Sequence, residues 1–238
     1  MPNHIQNILK INNIKSDKEK QEIIEAFTRL GEYNERVFDF NTIKPMPKRL
    51  HLIEGSLTDI AIRCALLKMP IERRNYFLDI MKKHLGFLEG IDYKRIKEEE
   101  EKFLKDKIEN NYEDIDYEGL GIETLEDLGI AYLNNIVDYA YPTWYDWSIE
   151  NWGTKWNAYE SYIEEGKNYL KFYFQTAWSA PMPIFDTLSV FLSDKNIEIW
   201  YADEDIGHNC GKIYYLKGEK IVEYKEGDSS FANRVWKN

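Results

Sequence analysis

Residues 52 to 140 carry no convincing strand, whereas the segments on either side alternate strand-like and helix-like apolar spacing. A chain patterned this way has to assemble its sheet from its two ends and loop a helical insertion out between them. Closing such a loop costs entropy that grows only slowly with length, so the insertion does not forbid a single sheet.

The N-terminal end reads β-α-β. His4 to Ile11 has strand character, and Ser16 followed by Glu19 has the form of a capping box. Ile23, Ile24, Phe27 and Leu30 recur at helical spacing, with Gly31 where a helix-ending glycine belongs. Arg36 to Phe40 predicts a short second strand, stopped by Asn41 and the Pro45/Pro47 pair. At the other end, Tyr169 to Phe174 puts Leu170, Phe172 and Phe174 on one face of a third strand. Pro183 opens a helix through Ile184, Leu188, Phe191 and Leu192, and Ile197, Ile199 and Tyr201 alternate as a fourth strand. Lys212 to Leu216 and Lys220 to Tyr224 form a hairpin about Lys217-Gly218-Glu219. The expected fold is α+β: a ferredoxin-like split β-α-β sheet domain with a large helical insertion between its second and third strands and a C-terminal hairpin. Residues 1–51 plus 141–238 form the discontinuous sheet domain, and 52–140 form the acidic helical insertion.

Within the insertion, Ile60, Ala61, Cys64, Ala65 and Leu67 mark one helical face, and Tyr76, Phe77, Ile80, Met81 and Leu85 another. Further helices are expected from Tyr93 to Asn110 and from Leu125 to Tyr141. Residues 91 to 130 hold 14 acidic and 6 basic side chains, so this stretch carries most of the chain's formal net charge of −11. A charge run is usually a solvated helical face. Concentrated here, it also offers a docking surface through Glu98, Glu99, Glu100, Glu101, Asp106, Glu109, Glu113, Asp114 and Asp116. A protein this acidic repels phosphate backbones, so a partner with a basic surface is expected and direct nucleic-acid binding is not.

Only Cys64 and Cys210 occur, far apart, which excludes a disulfide scaffold and a cysteine-type zinc site. The N-terminus lacks the basic and apolar regions of a secretory signal, and no apolar run is long enough to span a bilayer. A soluble protein of the bacterial host cytoplasm is expected, with no membrane partner.

Four motifs occur together: MPNH at 1–4, FNTIKPMP at 40–47, YDWSIENWGTKWNAY at 145–159 and FQTAWSAPMP at 174–183, with a looser YADEDIGHNCG at 201–211. With these the chain resembles the YubB-type ferredoxin-like family carried by plasmids and bacteriophages, although Ala180 stands where that pattern has proline. The resemblance covers about half the chain and none of 52–140. It implies a ferredoxin-like fold and a mobile-element accessory role, and supplies no catalytic residue.

The tryptophans Trp144, Trp147, Trp152, Trp156 and Trp178 are the most unusual feature. As a binding site, Trp152, Trp156 and Trp178 would stack a base and Lys155 would meet its phosphate. As core, the same indoles would fill the space between sheet and insertion. In a helical reading Trp152 and Trp156 lie on one side and Asn151 pairs with Lys155. Asp203 and Asp205, with Glu204 and His208, have the chemistry of a divalent-ion site, but acids beside Gly and Asn also make an ordinary strand-ending turn. No metal site and no cofactor is expected. His4 with Asp203 or Asp205 would make an acid/base pair only if the fold joined them, and the central strands lack the aromatic pattern of RNA-binding sheets. No nucleophile or phosphate-loop motif occurs, so no catalytic residue is expected.

Two functions follow. The first is a non-enzymatic phage or mobile-element protein that binds and inhibits a host defence component through its acidic surface, for example an anti-CRISPR acting on a nucleic-acid-binding effector. The second is a nucleotide-binding sponge or nucleotide-processing enzyme using the Trp-rich block.

Overall fold

Strand β1 (His4–Asn12) is the axis of the sheet. It pairs antiparallel with β5 (Tyr169–Ala177) along its whole length and with β6 (Asn196–Asp203) on its other side. In the computed structural model, which describes residues 2–84, 98, 101–102, 119–216 and 219–237, the six-stranded antiparallel sheet has the order β4-β5-β1-β6-β7-β8. Its outer members are β4 (Tyr159–Glu165) and the hairpin β7 (Gly211–Leu216) and β8 (Glu219–Tyr224). With α1 (Asp17–Phe27) after β1 and α6 (Met182–Phe191) after β5, the segments β1-α1-β4-β5-α6-β6 make the ferredoxin-like unit. The chain carries a ferredoxin-like α+β sheet domain with helices inserted among its strands.

The expected second strand is real but pairs elsewhere. β3 (Arg36–Phe38) joins β2 (Thr28–Leu30) in a separate two-stranded ribbon. The insertion does follow it, yet the strand that fills the second ferredoxin position is β4, whose YESYIEE sequence alternates polar residues on an edge. α1 stops at Phe27 because Thr28 is extended and enters β2, so Gly31 caps nothing. Ser16 accepts from the Glu19 amide, but the Glu19 carboxylate returns to the Lys15 amide and to Lys195, leaving the capping box half formed.

Parity along β1 sorts its side chains between two covered faces. Ile5, Leu9 and Ile11 are sealed on the core face with Phe172, Phe174, Ile197 and Ile199. Phe38 stacks on Phe174, and Phe185 of α6 reaches the same ring. The even positions Gln6, Ile8 and Lys10 belong to the opposite face. There α7 (Ser229–Lys237) lays Phe231, Ala232 and Val235 against Ile8, Tyr173 and Ala202.

The chain divides into two compact units, Met1–Pro45 with Ser148–Asn238, and Met46–Trp147. The second starts and ends further out than the expected 52–140 because its flanks are tied to its helices. Asn135 donates to the carbonyls of Arg49 and Pro142, and Thr143 bonds Glu54. Its core joins α2 (Ser56–Lys68), α3 (Ile71–His84) and α4 (Leu125–Tyr139) through Ile60, Ala61, Ala65, Phe77, Leu128 and Tyr132. α2 and α4 cross at Gly129, where a Cβ would lie 2.0 Å from the Ala61 carbonyl oxygen. A further helix, α5 (Trp144–Trp152), leads back into the first unit.

Candidate functional site

The WGTKW segment shows how a short sequence sends neighbouring side chains to different places. α5 ends at Trp152, so residues 153–156 are not helical, and Asn151 and Lys155 do not share the helix face expected for them. Trp152 is buried, donates its indole N–H to the Lys44 carbonyl at 2.9 Å and stands edge-on to Phe40. Gly153 then turns with φ +80°, where a Cβ would meet Pro183 at 2.5 Å. Thr154 clamps the end of β5: its hydroxyl donates to the Ala177 carbonyl and accepts from the Ala177 amide. Lys155 and Trp156 are thereby delivered beside Trp178.

Trp178 itself has φ +70°, a left-handed conformation that costs a non-glycine residue about 1–2 kcal/mol. Its backbone is held from both sides: the amide donates to Asn3 O, and the carbonyl accepts from Asn209 Nδ2. The conformation leaves the indole 43% exposed, and Trp156 is 38% exposed. The Lys155 ammonium lies 5.1 Å from the Trp156 ring centre and 4.9 Å from that of Trp178. One cation thus serves two indoles.

Next to this group an open depression is lined by His4, Trp156, Tyr159, Glu160 and Gln175. His4 Nδ1 is 2.7 Å from the Tyr159 hydroxyl, and the rings meet edge to face. Burial first, and then the Glu204 and Glu160 charges, push the Tyr159 hydroxyl up to about 12, so it stays a neutral phenol. The fold does not join His4 to Asp203 or Asp205, the condition on which an acid/base pair depended; His4 is hydrogen-bonded to Tyr159 instead. Asp203 Oδ1 accepts from Asn3 Nδ2 and the Asp205 amide, which makes it part of the turn's framework. Asp205 is exposed, 3.9 Å from His208 Nε2. Among the described residues no group of three or more His, Cys, Asp or Glu side chains is arranged to hold a metal ion.

Of the ligand-site residues expected from sequence, Lys155, Trp156 and Trp178 come together and Trp152 belongs to the core. Asp203 belongs to the same end of the sheet through its bond from Asn3. Four of the five sequence motifs reach this one end: Asn3-His4, residues 154–159, Ala177-Trp178 and the 203–209 turn. Sequence reasoning missed Tyr159, whose signal lay in the last residue of the Trp-rich motif. Cys210 is buried, its thiol donates to the Lys225 carbonyl, and burial pushes its pKa up, the reverse of an activated nucleophile. Of the acidic surface, Glu98 and Glu101 are exposed; Glu99, Glu100, Asp106, Glu109, Glu113, Asp114 and Asp116 lie outside the described residues.

Residues 151–236 match the family model described as the ferredoxin-like domain in Api92-like protein, which covers the second half of the sheet unit and most of this site. Among solved structures, the crystal structure of a protein Api92 from Yersinia pseudotuberculosis is similar, with a TM-score of 0.43 and 15% identity over 94% of this chain and 98% of that one. No curated protein matches the chain significantly. No helix among the described residues is long and apolar enough to cross a membrane.

Proposed function

We propose that the protein binds a nucleotide at the end of the sheet, with Trp156 and Trp178 stacking the base and Lys155 meeting the phosphate. The observation that carries this reading is the Lys155 ammonium, close to two half-exposed indoles at once. An exposed cation–π contact is worth about 0.5–1 kcal/mol, less than a charge-assisted bond to phosphate, so an anion competes well with the rings for the ammonium. The strained backbone of Trp178 supports the reading, because such conformations concentrate at ligand clamps. Such a ligand fits a role in the cytoplasm of a bacterial host, as an accessory protein of a mobile element of the YubB type.

Titration with purine and pyrimidine mononucleotides, followed by tryptophan fluorescence, tests it. Saturable quenching that is lost in Lys155→Ala and Trp178→Ala, with Trp152 untouched, is the expected result. Unchanged emission up to millimolar ligand overturns it.

The acid excess of residues 91 to 130 favours a second reading, an antagonist that docks on a basic host-defence protein such as a CRISPR effector. Its mark would be a complex with a purified effector that weakens steeply with salt and is lost when Glu98 to Glu101 become glutamines.

A further inference from the structure

The two edges of the sheet are built differently. On β4 the ladder to β5 breaks at a bulge between Tyr159 and Tyr162, and β3 lies along it, the Phe38 amide donating to the Ser161 hydroxyl. Bulges and cover of this kind keep an edge from pairing with another chain. β8 has neither. Its ladder with β7 runs unbroken from Gly211–Tyr224 to Leu216–Glu219, it contains no proline, and among the described residues no strand lies on its other side. Its lysine, Lys220, is drawn back to Asp186 of α6 at 2.6 Å. Ile221 and Tyr224 are 50% and 72% exposed, and Val190, four residues after Asp186 on the same side of α6, is 71% exposed.

The backbone sets which groups face outward. The Lys225 amide donates to the Cys210 carbonyl at 2.8 Å, so in this antiparallel ladder residues 219, 221 and 223 turn their main-chain groups to β7. Lys220, Val222 and Tyr224 turn theirs to the open edge. A second β8 related by a two-fold axis perpendicular to the sheet runs antiparallel and keeps each face on its own side. Every residue then opposes itself or one an even number of positions away. Centring the axis on Glu219, Lys220 or Glu223 sets that charge against itself, and centring it on Ile221 sets Glu219 against Glu223. Like charges directly opposite destabilise a strand pair. Centring on Tyr224 leaves Glu219 to Ile221 with no strand to meet. Val222 is the centre that avoids both faults.

We propose that β8 pairs antiparallel with β8 of a second copy of this chain, about a two-fold axis through Val222, making one sheet continuous across both copies. Glu219 then faces Lys225, Lys220 faces Tyr224 and Ile221 packs on the methylenes of Glu223, each contact made twice. Lys220, Val222 and Tyr224 use the main-chain groups that a single copy leaves to water. Lys225 is already held by Glu223 in its own chain, so the second carboxylate extends an existing ion pair. Val190 adds apolar surface on the side of the sheet where Lys220 meets α6. Both copies carry −11, and that repulsion opposes association until salt screens charges further apart than about 8 Å.

Sedimentation velocity of the full chain at physiological salt, from micromolar to near-millimolar concentration, should show a passage from the mass of one chain to that of two. Val222→Pro should abolish it. The Val222 amide faces the open edge, where proline is tolerated, so the variant keeps its near-UV spectrum while the central pair of bonds is lost. Glu219→Lys and Lys225→Glu should each weaken dimerisation at least about tenfold by setting like charges opposite one another twice, and the double exchange should restore it. Position 222 meets itself across the axis, so Val222→Cys should form a disulfide-linked dimer under mild oxidation faster than Ile221→Cys, with Cys64 and Cys210 buried away from reaction. A chain that stays monomeric at the highest concentration overturns the proposal and leaves the edge to a strand of another protein. A dimer indifferent to Val222→Pro, faster linkage at position 221, or a double exchange that restores nothing overturns it as well.

Discussion

Trp152 closes the core beneath the candidate site, bonded to the Lys44 carbonyl and edge-on to Phe40, so truncating it opens a cavity in the sheet unit. Trp152→Ala should cost about 3–5 kcal/mol in urea unfolding. Trp156→Ala, at a half-exposed position, should cost under about 1 kcal/mol and act on binding instead. Glu164 makes a second test at this scale. Hydrogen bonds from Tyr169, Lys171 and Tyr173 hold its carboxylate at about 2 against an ordinary 4.5. A carboxylate with a depressed pKa stabilises the folded state fully above its unfolded value, and that stability is lost as pH falls from 4.5 towards 2. Melting temperatures measured down this acid limb should fall more steeply in the unaltered protein than in Glu164→Gln. Equal slopes would remove Glu164 from the account.

α7 is the element that sequence patterning passes over, although Phe231, Ala232, Val235 and Trp236 have helical spacing and Asp228 accepts from the Phe231 amide at its start. At nine residues it is too short to stand alone, and it is held by burial of Phe231 and Val235 and by the Trp236 indole bonded to the Asp203 carbonyl. Phe231→Ala should destabilise the protein by about 3–5 kcal/mol in urea and expose enough apolar sheet to bind ANS. β4 escapes notice for a different reason. It is an edge strand with a bulge between Tyr159 and Tyr162, and Glu160 there has φ +46°, so the alternation that marks a strand is broken by one residue. The central strands β5 and β6 are legible because Leu170, Phe172 and Phe174, or Ile197, Ile199 and Tyr201, must face one side.

At the scale of the whole chain, the sheet unit is made from two segments whose broken ends meet within it: Lys44 and Trp152 are hydrogen-bonded neighbours. Replacing residues 46–147 with a short Gly/Ser linker should therefore leave a unit that unfolds in one cooperative step in urea with its near-UV tryptophan spectrum retained. A molten product would show that the helical unit is needed to hold the sheet. Apolar spacing along the chain determined the fold class, the strands that must be buried and the helices α2, α3 and α4, because burial of one face is a local demand repeated every two or every three to four residues; the helix expected from Tyr93 to Asn110 lies largely outside the described residues. What it left open was which strand neighbours which, and so the separation of β3 from the main sheet and the entry of β4. Only the tertiary structure decided that Trp152 is core while Trp156 and Trp178 share Lys155, and that His4 meets Tyr159 and not Asp203. Those choices rest on contacts between residues far apart in the chain, made by Thr154 on Ala177 and by Asn3 on Trp178, and no local pattern encodes them.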